Sequence, residues 1–261
     1  ATKLGIDIAQ VKATGPRGRV IEADVRGHSS AAESEPTPAM PLGLGIPANT
    51  TRIVGMRKTI ADHMRRSIAE TAQLSFFMEL DVTEAQRMRR QHSAGPGGTI
   101  SLSHVLIKAC AEALRRHPKL NSILVDGNIH YYDEVNIGVA VTLDDGLIVP
   151  VVRDVESMDI VQLATNITAL VKKARTGLLH SDDLVGGTFT VSVLGSIDGF
   201  TPILNAGQTA ILGAGRSVQK PVARHSKVVV REIITLSLTV DHQVIDGAVA
   251  AAFLRRLQQL I

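Results

Sequence analysis

The chain has 261 residues, 44% hydrophobic and 20% charged, with 22 Gly, 10 Pro, five Phe, two Tyr and no Trp. That composition fits a globular protein with one large aliphatic core and room for a small appendage. The net charge of +3 comes from scattered Lys and Arg without interleaved aromatics, which gives nucleic-acid binding little support, and no apolar run approaches the roughly 18 residues that span a bilayer.

Residues 1–28, "ATKLGIDIAQVKATGPRGRVIEADVRGH", read as a turn-rich unit, with "GPRG" as a turn and "VIEADV" as a short helix. Composition shifts over 29–50, where four prolines and no hydrophobic period mark a semi-extended linker. From 51 to 261 helix and strand signals alternate. "VGMRKTIADHMRRSIAETA" places Met56, Ile60, Met64 and Ile68 on one helix face. "LSFFMELDVT" is a strand, and "SLSHVLIKACAEALRRHP" a helix stopped by Pro118. Its Cys110 is the one cysteine of the chain; spacing points it inward, and it reads as a buried small hydrophobe in a reducing compartment.

Farther on, "NIGVAVTL" and "LIVPVVRD" flank an Asp145-Gly146 turn and predict a hairpin. "DIVQLATNITALVKKART" is a long helix ended by Gly177. "TFTVSVLGS", "QTAILGAG" and "VVVREIITLSLTV" add strands, and residues 247–261 close with a helix. The sum is an α/β layered domain with a mixed sheet.

Chemistry concentrates in "TLSLTVDHQVIDGAVAAAFL". The strand alternation delivers His242 just past its end, where a neutral imidazole is matched to taking a proton from a thiol or alcohol near pH 7. Asp246 can orient that ring or hold the turn, and Gly247 can relax the backbone before the last helix. By spacing alone a structural histidine remains the other reading. No second His or Cys stands at ligand spacing, so no metal is expected. For acyl transfer an oxyanion donor is also needed, and "GGTFTVSVLGS" offers Thr188, Thr190 and Ser192 on one strand face.

Taken together, "DHQVIDG", "MRKTIADHM", "VNIGVAVTLDDGLIVPVVRD" and "LVGGTFTVSVLGSIDGFTPILNAGQTAILGAG" resemble, in order, the dihydrolipoamide acyltransferases, core components of 2-oxo acid dehydrogenase complexes. Chloramphenicol acetyltransferase shares the His-x-x-x-Asp-Gly signature. "GIDIAQVKATGPRGRVIEADV" resembles that family's peripheral-subunit-binding domain, here truncated. The resemblance implies a two-layer sandwich around a mixed sheet. It implies transfer of an acyl group between dihydrolipoyl thiol and coenzyme A, with His242 as general base and Ser192 as oxyanion donor. Asp246 would pair with Arg57 and, with Gly247, hold the His242 loop.

It further implies a homotrimer whose active site lies between subunits, and dehydrogenase and dihydrolipoamide dehydrogenase partners bound through the first domain, where Arg17 and Arg19 are candidate contacts. A larger core would need an assembly surface beyond "RRLQQLI". The lipoyl group would ride on a domain preceding Ala1, in a bacterial cytoplasm or a mitochondrial matrix. Which acyl group is carried stays open, as do Arg216 and Ser217 as coenzyme A contacts. A free O-acetyltransferase and a non-catalytic scaffold subunit are the alternatives. Departures from the family pattern are Gln243 for the usual Arg, Val193 for the usual Asn, and "LNAGQ" where a double proline is usual.

Overall fold

The computed structural model describes residues 48–92, 99–143 and 146–261, together with positions 11, 13–15, 18–22 and 24. The chain divides into two compact units, Ala1–Arg52 and Ile53–Ile261. In the first, Gly18 N–H donates to the Gly15 carbonyl (3.2 Å) and Gly15 N–H to that of Arg19 (3.0 Å). Gly18 sits at φ +72°, which glycine adopts without steric cost. The Asp24 carboxylate accepts from the N–H groups of Thr14 (3.0 Å) and Ile21 (2.9 Å) and ties the turn together. Arg19 is exposed beside it; Arg17 and most of the expected linker lie outside the described residues.

The second unit runs α1 (Gly55–Glu70), β1 (Gln73–Asp81), α2 (Thr83–His92), α3 (Leu102–Leu114), β2 (Ser122–Val125), β3 (Asn128–Tyr131), β4 (Ile137–Val139), β5 (Val141–Leu143), β6 (Gly146–Ile148), β7 (Val151–Val152), α4 (Ile160–Thr176), β8 (Phe189–Val193), β9 (Ala210–Ala214), β10 (Val218–Arg224), β11 (Lys227–Asp241) and α5 (Gly247–Leu260). Seven strands form a mixed sheet in the order β1-β11-β9-β8-β4-β7, with β10 paired to the first half of β11. β8 runs parallel to β4 and β9; the other pairs are antiparallel.

Helix boundaries follow local chemistry. Ser101 caps α3: its hydroxyl accepts from His104 N–H (3.3 Å) while the His104 Nδ1 accepts from Ser101 N–H (3.2 Å). Asp159 and Gln162 form the same box on α4, and Gly177 ends that helix at φ +69°. Against one sheet face, α3 brings Leu106, Ile107 and Leu114, α4 brings Leu163 and Ile167, and α5 brings Phe253 and Leu257. They meet Phe189, Val191, Leu212, Leu236, Leu238 and Val240 in one core. This is the predicted layered α/β arrangement. Cys110 lies in it fully buried, and burial pushes its thiol pKa far up, so it is no nucleophile.

Three expectations need correction. Leu143 pairs with Gly146, so the hairpin connection is 144–145, outside the described residues, and Gly146 is a strand residue. The hairpin is also split: β5 and β6 stand as a separate two-stranded sheet, whereas β4 and β7 join the main one, linked through Val139 N–H to the Pro150 carbonyl (2.8 Å). Finally, the stripe on α1 is half covered. Ile60 and Met64 are partly buried, but Met56 (54%) and Ile68 (56%) are exposed, and the fully buried residue is Ser67, donating to the Leu204 carbonyl (2.6 Å).

Candidate functional site

β11 is the longest strand, and both faces of its second half are buried. Leu236, Leu238 and Val240 face the helices; on the other face Thr235 lies against Gly199, Ser237 lies by Gly213 where Phe200 and Pro202 pack, and the Thr239 hydroxyl bonds that of Ser75 (2.7 Å). Gly213 permits this: a side chain there would collide with the Ser237 hydroxyl and stand 3.2 Å from Phe200 and Pro202.

The strand ends in a tight turn that presents His242. Asp241 is fully buried, and its carbonyl accepts from Val244 (3.0 Å) and Ile245 (2.9 Å). Its carboxylate accepts from the N–H groups of Ala72 (3.1 Å) and Gln243 (3.0 Å), while His242 N–H donates to the Ala72 carbonyl (2.8 Å). The imidazole itself is exposed. Gln243 does not leave an empty place where arginine is usual. Its Nε2 donates to both Asp241 oxygens (3.2 Å each) and to the Glu70 carbonyl (2.9 Å). Beside the turn opens a cleft of about 700 Å³ lined by Arg66, Glu70, Gly127, Asp241 and Gln243.

Asp246 occupies the N-cap position of α5 but makes no side-chain capping bond and, among the described residues, no ion pair. Arg57 lies 13 residues before Glu70 on α1, about 20 Å along the helix from the end that meets Gln243. The expected Asp246–Arg57 pair is therefore not made within one chain. Gly247 likewise differs from expectation. It is the first residue of α5, not in the left-handed region, and an added Cβ would meet Phe76 at an ordinary 3.5 Å.

The three hydroxyls, Thr188 just before β8 and Thr190 and Ser192 on it, have different lives. Thr188 Oγ1 donates to Asn121 Oδ1 (2.6 Å). Thr190 Oγ1 donates to Gln208 Oε1 (2.7 Å) and accepts from Asn205 Nδ2 (2.8 Å). The Ser192 hydroxyl has no hydrogen-bond partner among the described residues, and the residue is 8% exposed. Val193 points to the opposite face, where it packs against the core and lines a small cavity with His104, so its replacement of Asn does not touch Ser192's side. His104 is a structural histidine: burial lowers its pKa and Nδ1 serves the α3 cap.

Strand register measures the gap between Ser192 and His242. Ser192 stands abreast of Gly213, and Gly213 abreast of Ser237. His242 lies five residues beyond Ser237, so at about 3.3 Å per residue and 4.8 Å per strand the two Cα atoms are on the order of 20 Å apart. One chain holds both groups but does not bring them together. Arg216 is occupied by an ion pair with Asp198, and Ser217 reaches Glu232 (3.5 Å). Sequence reasoning passed over Asp241, Asn205 and Gln208; the departures at Gln243 and "LNAGQ" were the signal for all three. No group of three or more His, Cys, Asp or Glu among the described residues could hold a metal ion.

The family model for the 2-oxoacid dehydrogenases acyltransferase (catalytic domain) matches residues 47–261, and that of the e3 binding domain matches residues 1–26. The dihydrolipoyllysine-residue acetyltransferase component of the acetoin cleaving system of Bacillus subtilis is 39% identical over 264 residues, covering 99% of this chain and 66% of that protein. The lipoamide acyltransferase component of the branched-chain alpha-keto acid dehydrogenase complex of Pseudomonas aeruginosa is 33% identical, covering 100% and 63%. Among solved structures, the dihydrolipoamide acetyltransferase of Azotobacter vinelandii superposes with a TM-score of 0.81 at 35% identity, covering 87% of this chain and 96% of that one. The chain spans about half to two thirds of the length of the curated relatives it matches.

Proposed function

Because the chain belongs to the acyltransferase (catalytic domain) family of the 2-oxoacid dehydrogenases, we propose that it moves an acyl group between a dihydrolipoyl thiol and coenzyme A, His242 acting as general base and Ser192 as oxyanion donor. The observation that carries this reading is the contrast along 188–192: Thr188 and Thr190 are tied down, and among the described residues Ser192 alone of the three keeps its hydroxyl uncommitted. The Azotobacter structure belongs to an investigation of a serine, a histidine and an asparagine in that enzyme's catalytic mechanism, the asparagine four positions after the histidine. His242 and Asp246 have the same spacing.

The chemistry follows from the groups. His242 takes the proton of the incoming thiol, and the thiolate adds to the thioester carbonyl, making one C–S bond and a negative oxygen. The Ser192 O–H donates to that oxygen; such a donor contributes about 10²–10³ in rate. Collapse breaks the other C–S bond, and the departing thiolate takes the proton back from His242. Acyl thioester and free thiol have exchanged partners with no net change in charge.

Since Ser192 and His242 stand on the order of 20 Å apart in one chain, the working site joins Ser192 of one subunit to His242 of the next. A cyclic homotrimer supplies that head-to-tail contact three times. The exposed Ile53, Val54, Met56, Ile68, Leu74 and Phe77 give the chain the apolar surface that such an assembly buries. The first unit, through Arg19 and Arg17, is assigned to binding the dihydrolipoamide dehydrogenase and the dehydrogenase subunit. Asp246 is assigned to shaping the α5 end of the His242 loop.

The direct test is thioester formation from acetyl-CoA and dihydrolipoamide by the unaltered protein and by His242→Ala. The reading predicts robust transfer that the substitution reduces by about 10²–10⁴. Equal rates would remove His242 from the chemistry. Acetylation of simple alcohols in preference to dihydrolipoamide would instead favour a free O-acetyltransferase.

A further inference from the structure

We propose that Asp241 is a positioning residue for His242, and that Gln243 is the partner through which it works; the proposal rests on His242 being the base. The carboxylate is 0% exposed, and a carboxyl group so placed must be satisfied by hydrogen bonds or a counter-charge. Among the described residues Asp241 has no ion-pair partner. All of its bonds come from N–H donors: Ala72 N (3.1 Å), Gln243 N (3.0 Å) and Gln243 Nε2 (3.2 Å to each oxygen).

The arrangement encloses the base. The Ala72 peptide group is used on both sides: its N–H goes to the Asp241 carboxylate, and its carbonyl receives His242 N–H (2.8 Å). The bond from Gln243 N–H to Asp241 Oδ1 closes an Asx turn spanning His242, and the Asp241 carbonyl holds Val244 and Ile245 from the other side. His242's own backbone is thus bonded to the α1–β1 junction, and the residues on either side of it are bonded to each other. Gln243 extends the tie to the last turn of α1 through the Glu70 carbonyl (2.9 Å). The imidazole projects from this clamp into solvent, and among the described residues it makes no side-chain hydrogen bond.

A side chain that serves only folding would not distinguish binding from chemistry. A group that aims the base would, because misplacing it by about 1 Å costs about 100-fold in rate while leaving substrate affinity untouched. The experiment measures kcat and KM for acyl transfer in the assembled protein with Asp241→Ala, Asp241→Asn and Gln243→Leu, with His242→Ala as the inactive reference. Amide hydrogen exchange over residues 238–246 is followed in each.

Asp241→Ala should lower kcat about 100-fold with KM within about twofold of the parent. Asp241→Asn keeps an acceptor for the Ala72 and Gln243 N–H groups, and it should recover part of that loss. Gln243→Leu alters an exposed residue that folding tolerates, and it should lower kcat about tenfold at constant KM while speeding exchange of the His242 amide. Unchanged kcat and unchanged exchange in Gln243→Leu would overturn the proposal. So would an Asp241→Asn protein indistinguishable from the parent in both readouts. If the unaltered protein transfers no acyl group, the acyl-transfer reading falls, and the exchange comparison still decides whether Asp241 and Gln243 clamp the turn.

Discussion

Thr190 and Ser192 stand two residues apart on the same face of β8, both nearly buried, yet one hydroxyl is held by Asn205 and Gln208 and the other is bonded to nothing among the described residues. The two threonine bonds join the strand to the segment that covers it, and Gln208 Nε2 extends the tie to the Gly187 carbonyl (2.7 Å). Ser192 adds nothing to that network.

Substitution should therefore separate the two. Thr190→Val leaves Gln208 and Asn205 short of a partner in a buried setting and should cost about 1–3 kcal/mol in urea unfolding. Ser192→Ala should leave stability nearly unchanged and lower kcat by about 10²–10³ with little change in KM. A Ser192→Ala protein that unfolds early but works normally would reverse the assignment.

Asp81 makes a prediction about pH. Burial raises its carboxyl pKa, but the hydrogen bonds from Thr83 and Arg231, with the Arg231 charge, outweigh that and hold it below the ordinary 3.8. Arg231 Nε stands 2.8 Å away. A depressed native pKa means the unfolded chain takes up protons first, so this stabilisation is present above 3.8 and disappears as pH falls through the native value. Asp81→Asn should be about 1 kcal/mol less stable than the parent at pH 7. Urea midpoints measured down the pH scale should show that gap closing only below the ordinary carboxylate pKa.

Gly215 tests close packing. A Cβ there would overlap the carbonyl of Asp198, whose side chain pairs with Arg216. Gly215→Ala should push the 194–199 segment off the sheet and destabilise the protein by about 1–3 kcal/mol. Gly18, with open space around the position a Cβ would take, should show no comparable packing penalty, only the strain of its positive φ.

Much of this was legible in the sequence, for reasons that differ by element. The end of α4 at Gly177 was legible because a left-handed helix stop is local chemistry; the Asp159 cap at its start is equally local. β11 was legible through alternation, but that Ser237 and Thr239 are as buried as Leu236 and Leu238 was not, since their neighbours, Phe200 and Pro202 beside Ser237 and Ser75 beside Thr239, are distant in sequence. The hairpin of 137–152 was visible as two strands and a turn; its division between two sheets depends on β8, a partner no local pattern announces. His242 and Ser192 stood out by residue type and resemblance. Asp241 did not, because its role lies in a bond to Ala72, 169 residues away in the chain. The exposed ends of the α1 stripe make the same point for assembly: a face built by helical spacing is covered only where something packs on it.

The central claim is that acyl transfer needs Ser192 from one chain and His242 from another, and subunit mixing tests it most directly. Ser192→Ala and His242→Ala proteins, each inactive alone, would be unfolded together and refolded as mixed trimers. In a three-fold ring every mixed trimer regains one intact site, so an equal mixture should recover about a quarter of the parental rate. A double variant carrying both substitutions on one chain, mixed with parent, gives the control for subunit exchange. Recovery near a quarter is the result predicted here. No recovery, with mixed trimers demonstrated, would place both residues of each site in a single chain and contradict the account.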